Sequence, residues 1–226
     1  MKASLAVCIL AALLAVGACL QCEVCNGSGN NCTGSLQTCV AEKDTCSVIL
    51  TETTFAGQKS QYIIKGCAKS SLCKTSPVSM NLVKGLATRT IFACCVGEAC
   101  RTMNVTVPPA ETKPNGGRCP ACYVFLFGQC SEETIDCVGA ETQCINVTYN
   151  QTTEAGGYPA QIIMKGCASE SFCAHLKTDP ETFTGIRANL TRAECRPAYS
   201  AGGVAPGAAG LLLPALAGLL LLKLLS

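Results

Sequence analysis

Apolar and polar residues alternate in short stretches through the middle of this chain, and long apolar runs occur only at its two ends. Cys144-Ile145-Asn146-Val147-Thr148-Tyr149-Asn150 puts every second side chain on one face, the pattern of a half-buried strand. The turn-rich Ala155-Gly156-Gly157 leads into Gln161-Ile162-Ile163-Met164-Lys165, which reads as the returning strand. Ser47 to Glu52 and Gln61 to Lys65 repeat the arrangement around Gly57. The pattern predicts two long central hairpins, each closed at its base by cysteines, and no amphipathic helix between the cysteines.

The apolar ends carry a different meaning. Met1-Lys2 gives a short positive start, Ala3 to Val16 is apolar, and Gly17-Ala18-Cys19 supplies small residues for cleavage, so residues 1–19 read as a signal peptide. The run is shorter than the roughly 20 residues a spanning helix needs. At the other end Ser200-Ala201-Gly202 is followed by a weakly polar spacer and the leucine-rich Leu211 to Leu225. Residues 200–226 thus match the signal for a glycosylphosphatidylinositol (GPI) anchor, attached at Ser200 and removed beyond it. A transmembrane helix competes with that reading, but Pro214 and Lys223 interrupt an already short segment. The expected location is extracellular, either lipid-anchored at the cell surface or secreted.

Composition narrows the picture. The 226 residues include 20 cysteines, one histidine and no tryptophan. Cleavage after Cys19 leaves 18 cysteines, an even number that can all pair in an oxidising compartment. Without the two ends the chain carries 15 basic and 15 acidic residues. That balance argues against nucleic acid or an anionic membrane surface as partner, so any membrane contact runs through the lipid anchor alone. With so few aromatic residues, the chain is expected to form two small disulfide-braced units rather than one large core.

A repeat supports that division. Lys65-Gly66-Cys67-Ala68 recurs as Lys165-Gly166-Cys167-Ala168, each followed by a further cysteine, Cys73 or Cys173. Cys22, Cys25, Cys32, Cys39 and Cys46 align with Cys119, Cys122, Cys130, Cys137 and Cys144, and Cys94 with Cys195. The units span 20–103 and 118–199. The Pro- and Gly-containing segment 104–117 between them reads as a linker.

Catalytic readings find little support. His175 stands beside Cys173 and reads as an exposed loop histidine, not as half of a nucleophile–base pair. The Cys-x-x-Cys pairs at Cys22/Cys25 and Cys119/Cys122 read as disulfide partners instead of a metal or redox site, given the oxidising compartment. Glu132, Glu133 and Asp136 form a small acidic group expected in a solvated loop. No cofactor or metal is implied, and a non-enzymatic binding role remains.

The spacing Leu20-x-Cys22-x-x-Cys25, then Cys32, Cys39, Cys46, Cys67, Cys73, Cys94-Cys95 and Cys100, resembles the three-finger domain of the lymphocyte-antigen-6 and urokinase-receptor superfamily. The duplication, with Cys22-Glu23-Val24-Cys25-Asn26, Asn115-Gly116-Gly117-Arg118-Cys119-Pro120 and Glu141-Thr142-Gln143-Cys144-Ile145-Asn146, more narrowly resembles the gamma-type phospholipase A2 inhibitors. The resemblance implies an all-β, disulfide-rich fold of two tandem three-finger domains. It also implies the pairs Cys22–Cys46, Cys25–Cys32, Cys39–Cys67, Cys73–Cys94 and Cys95–Cys100, and in the second unit Cys119–Cys144, Cys122–Cys130, Cys137–Cys167 and Cys173–Cys195. The second unit departs from the pattern by lacking a final cysteine pair after Cys195. The implied partner is a secreted phospholipase A2 or another extracellular protein. The alternative is an anchored receptor or adhesion module of the urokinase-receptor type, and self-association into a homo-oligomer is left open.

Surface recognition is expected on the first unit's central hairpin and the linker, at Val48, Leu50, Tyr62, Ile64 and Val107, where the apolar residues exceed what one face of a small domain can bury. Sequons at Asn26, Asn104, Asn146, Asn150 and Asn189 are candidate glycosylation sites, while Asn31 is crowded by Cys32. Asn146 and Asn150 fall on one face of their strand, opposite Ile145, Val147 and Tyr149.

Overall fold

A computed structural model of the chain describes residues 20–200 apart from 84, 98, 127, 152–159 and 179–187. The expected signal peptide, the turn at Ala155-Gly156-Gly157 and the segment after Ser200 lie outside the described residues. In the first unit, strands β1 (Gln21–Ser28) and β2 (Ser35–Thr38) form one finger. Strands β3 (Thr45–Phe55) and β4 (Gln58–Ala68) form the central finger, and β5 (Val78–Val83) and β6 (Leu86–Cys95) the third. A 3-10 turn, Ser70–Thr75, precedes β5, and the short helix α1 (Ala99–Thr102) follows β6.

The second unit holds β7 (Pro114–Leu126), β8 (Glu133–Val138), β9 (Gln143–Gln151), β10 (Ala160–Ala168), β11 (Ala188–Pro197) and β12 (Tyr199–Ser200). Helix α2 (Glu170–Thr178) lies between β10 and β11. Nine disulfides close the fold: Cys22–Cys46, Cys25–Cys32, Cys39–Cys67, Cys73–Cys94, Cys95–Cys100, Cys119–Cys144, Cys122–Cys130, Cys137–Cys167 and Cys173–Cys195.

Pairing explains the apolar run Val48-Ile49-Leu50. Strand β3 lies between β4 and β6, and near its base, from Thr45 to Val48, residues on both faces are buried while the half toward the tip is not. Val48 and Leu50 point to one side with Ile63, where Val105 and Val107 of the following segment close over them. Ile49 points to the other side and packs against a second cluster. Val48 and Leu50 are therefore core, and Val107 is half-buried against them, which corrects the expectation of a recognition surface at these three residues. The sequence pattern implies one buried face, and the strand buries two near its base. At the hairpin's tip, Ala56 and Gly57 both have positive φ, the geometry that a two-residue turn needs to match the strand twist.

The two units share a sheet and a core. Strand β10 pairs with β5 of the first unit, Cys167 opposite Asn81 and Ala168 opposite Met80. The approach is so close that a Cβ on Gly166 would stand 2.0 Å from the Asn81 carbonyl oxygen. Around this joint Val78, Met80, Leu82, Leu86 and Phe92 pack with Ile145, Val147, Tyr149, Ile162, Phe172 and Leu176 in one cluster. Each unit keeps a cluster of its own, around Val48, Leu50 and Ile63 in the first and around Cys119, Cys137 and Cys167 in the second, and the fused sheet adds a third cluster that both units share. The intervening segment is drawn in at both ends, because Val105 is buried in the first unit and β7 already begins at Pro114.

Helix α2 corrects the expectation that no helix stands between the cysteines. Ser169 caps it, its Oγ accepting from the Phe172 N–H at 3.3 Å, and Glu170 in the first turn favours the positive helix end. Phe172, Cys173 and Leu176 form its buried face.

Candidate recognition surface

Opposed residues of antiparallel strands share a face, so the outward face of the central finger can be read from its register. Tyr62 lies opposite Thr51, Ile64 opposite Ile49, and Phe55 opposite Gln58 at the tip. All of these fall on the face away from Val48, Leu50 and Ile63. Phe55 is 62% exposed and Tyr62 44%, while Ile64 is half-buried. Of the five residues expected at a recognition surface, only Tyr62 and Ile64 lie on this face, and the exposed Phe55 shares it. The signal for Phe55 is present in the sequence, as a large apolar residue directly before the Ala56-Gly57 turn. The tip is tied to the third finger by the Ala56 N–H donating to the Gly85 carbonyl at 3.0 Å. In the second unit Tyr123 and Phe125 are also exposed, on the part of β7 that pairs with β10.

Charged groups brace this surface from behind. Arg89 donates to the Pro108 carbonyl and pairs with Glu52, which Lys59 also approaches at 3.4 Å. Deeper in the unit Lys65 and Glu23 form an ion pair at 3.0 Å, 3% and 6% exposed. The Gly34 N–H donating to Glu23, together with the Lys65 ammonium, outweighs burial and holds the Glu23 carboxyl below its ordinary pKa. The repeat's equivalent lysine, Lys165, pairs instead with the half-exposed Glu132. Asp136 pairs with Arg118, and both it and Glu133 lie in β8, while Glu132 stands just before the strand; all three are exposed, as expected, but two of them belong to a strand and not to a loop.

Residues that suggest chemistry are occupied structurally. His175 is buried on α2 and stacks on Phe92 with ring centroids 5.0 Å apart, which corrects its reading as an exposed loop residue. The Cys22, Cys39 and Cys67 sulfurs cluster closely, as do those of Cys119, Cys137 and Cys167. Every one of these is bonded in a disulfide, and a disulfide sulfur is not the thiolate a metal requires. Between the units a cleft of about 490 Å³ is lined by Ser76, Val78, Arg89, Pro108, Thr142 and Ser171, among others. The Ser171 hydroxyl donates to the Pro77 carbonyl at 2.5 Å, so part of the cleft's polar lining is already engaged.

The sequons fall in different settings. Asn26 and Asn104 are exposed. Asn150 is half-buried, and its Oδ1 accepts from Gln161 Nε2 at 3.3 Å. Asn146, on the same face, lies in register between Lys165 and Glu194 with its Oδ1 sealed from solvent. Asn189 of β11 stands in register with Asn150. Ser200 is exposed at the end of β12, opposite Gly117.

Residues 20–102 match the family model described as phospholipase A2 inhibitor, and residues 115–199 match the u-PAR/Ly-6 domain. The chain is 35% identical to a phospholipase A2 inhibitor of the gamma type from Gloydius brevicaudus siniticus, over 88% of this chain and 98% of that one. It is 35% identical to "Phospholipase A2 inhibitor NAI" of Notechis ater, over 76% of this chain and 86% of that one. It is 30% identical to "Phospholipase A2 inhibitor CNF" of Crotalus durissus terrificus, over 85% and 94%. With family-model matches over both units and 30–35% identity over most of its length to such relatives, the chain belongs to the gamma-type phospholipase A2 inhibitor family.

Proposed function

We propose that this protein is a non-enzymatic extracellular binding protein that occludes a secreted phospholipase A2 by protein–protein contact. The observation that carries the reading is the match to phospholipase A2 inhibitors across both units. The buried, ring-stacked state of His175 is consistent with it, as is a disulfide-braced framework that holds the exposed Phe55 at a fingertip. The contact surface in this reading is the tip of the central finger, with the exposed Phe55 as anchor. Exposed aromatics that become desolvated on binding dominate interface energies. A lipid at Ser200 holds the protein at the outer cell surface in this reading.

The test is titration of the purified ectodomain into vesicle hydrolysis by a panel of secreted phospholipases A2, paired with direct binding. Inhibition saturating at a fixed molar ratio is expected. Phe55→Ser is expected to weaken binding by about 2 kcal/mol, roughly thirtyfold, with the disulfide map unchanged. Absence of binding across the panel would sink the reading. An anchored receptor is the second reading, favoured by the leucine-rich C-terminal sequence; it predicts a cell-surface protein ligand in place of an enzyme.

A further inference from the structure

The last four residues of β1 pair with the outer edge of the central finger: Cys25 with Lys65, Asn26 with Ile64, Gly27 with Ile63 and Ser28 with Tyr62. Ile63 and Lys65 are buried, which fixes the inner face of this pair of strands. Asn26, Ser28, Ile64 and Tyr62 consequently point the other way. Asn26 and Ser28 are exposed and form the sequon Asn26-Gly27-Ser28. Strand β2 pairs with residues 21–24 of β1 only, so among the described residues Asn26 has β4 as its partner and no strand on the far side.

We propose that Asn26 carries an N-linked glycan whose first sugar lies across Ile64 and Tyr62, covering the inner end of the apolar strip with the protein's own carbohydrate. The bond arises when Asn26 Nδ2 attacks the anomeric carbon of an oligosaccharide carried on a lipid diphosphate. A C–N bond forms, the C–O bond to the diphosphate breaks, the lipid diphosphate leaves, and the amide proton passes to a base of the transferase. Register places the attachment point well. Directly opposed side chains stand about 5 Å apart and diagonal ones about 7–8 Å, so Ile64 and Tyr62 both lie within one sugar ring of Asn26. A pyranose presents C–H bonds on its faces, and an aromatic ring presents a negative face to receive them. Burial of the strip under carbohydrate also removes the apolar area that would otherwise face water. Asn146 offers a contrast: it too stands in a strand, but between two neighbours and with its Oδ1 sealed. The covered end leaves Phe55, at the far tip, as the open apolar residue of the finger.

The inference stands apart from the phospholipase reading, since its readouts involve no phospholipase. Glycopeptide mapping of the full chain secreted from glycosylating cells is expected to find Asn26 occupied; an unmodified Asn26 overturns the proposal. Tetranitromethane labelling then reads the geometry, with the comparably exposed Tyr123 as internal reference. Nitration of Tyr62 relative to Tyr123 is expected to rise several-fold in Asn26→Gln, in Ser28→Ala, and in the wild-type protein after enzymatic release of its glycans. Ser28→Ala keeps the Asn26 side chain, and the enzymatic arm needs no variant to fold. An unchanged Tyr62 to Tyr123 ratio in all three means that the sugar points to solvent, and the covering role is then wrong.

Discussion

Ser79 of the first unit and Ser169 of the second hold one another through two hydrogen bonds, the Ser79 N–H donating to Ser169 Oγ at 3.1 Å and the Ser169 N–H donating to the Ser79 carbonyl at 3.0 Å. They extend the β5–β10 ladder by one more register position. The same Ser169 hydroxyl caps α2, so the helix that fills the shared core starts where the two sheets join. A two-unit chain built this way is expected to unfold as one cooperative body, because opening either unit uncovers the shared cluster.

Glycine at 166 is the most exacting requirement of that joint. An added Cβ would meet the Asn81 carbonyl oxygen at 2.0 Å and Leu82 Cα at 2.8 Å, both on backbone that cannot step aside without breaking the ladder. The repeat's counterpart, Gly66, has open space around it. Gly166→Ala is expected to destabilise the protein by about 2–4 kcal/mol and Gly66→Ala by no more than about 1 kcal/mol. Guanidinium unfolding of the two variants checks this, and equal midpoints would mean that the units are not joined as described.

The two repeat lysines make a second contrast. Lys65 and Glu23 are both buried, so Lys65→Met leaves a carboxylate without its cation and is expected to cost about 3–5 kcal/mol. Lys165 pairs with a half-exposed carboxylate, and Glu132→Ala is expected to cost less than about 1 kcal/mol. The double replacement Glu23→Leu with Lys65→Met should recover most of the loss, as apolar groups replacing a whole buried pair often do. Chemical denaturation of the three variants at one salt concentration measures all of this.

The hairpins are legible because alternation and cysteine spacing are local signals: Ile145, Val147 and Tyr149 are buried and Asn146 and Asn150 less so, as the strand period requires. Val48 and Leu50 are misplaced by pattern alone because the second covering layer comes from Val105 and Val107, more than fifty residues away. His175 is misplaced for a similar reason, since its burial depends on Phe92 of the other unit. Helix α2 does leave a trace, a capping serine followed by apolar residues at 172, 173 and 176. The first unit has only a 3-10 turn at the matching place, so the repeat itself hides the helix.

Arg89 pins the segment after the first unit. Its guanidinium reaches the Pro108 carbonyl while Glu52 holds it from the other side. Arg89→Ala is expected to speed exchange over residues 103–110 well beyond the uniform increase that a global loss of about 1–3 kcal/mol gives the most protected amides of both units. Unaltered exchange there would show that burial of Val105 and Val107 suffices to hold the segment.

The joint also carries a titrating group. Glu141 is 4% exposed, and its carboxyl accepts from the Val138 N–H at 3.4 Å and bonds the hydroxyl of Ser79. Burial outweighs these contacts and pushes its pKa from 4.5 to about 7. The folded state thus holds the proton more tightly than the unfolded chain. Its contribution to stability is complete below about pH 4.5 and is lost as the pH rises through about 7, a change on the order of 2–3 kcal/mol. The buried Glu23 has the opposite sign, stabilising above its ordinary pKa and losing that contribution as pH falls through its lowered one. Glu141→Gln keeps a neutral hydrogen-bonding side chain at the joint and removes the titration. Between pH 5 and pH 8 the wild type is expected to lose stability that Glu141→Gln retains, while below pH 4.5 the two should fall in parallel as Glu23 protonates. Thermal midpoints of both proteins across that range decide it: parallel curves from pH 5 to pH 8 would mean that Glu141 is already ionised at the joint.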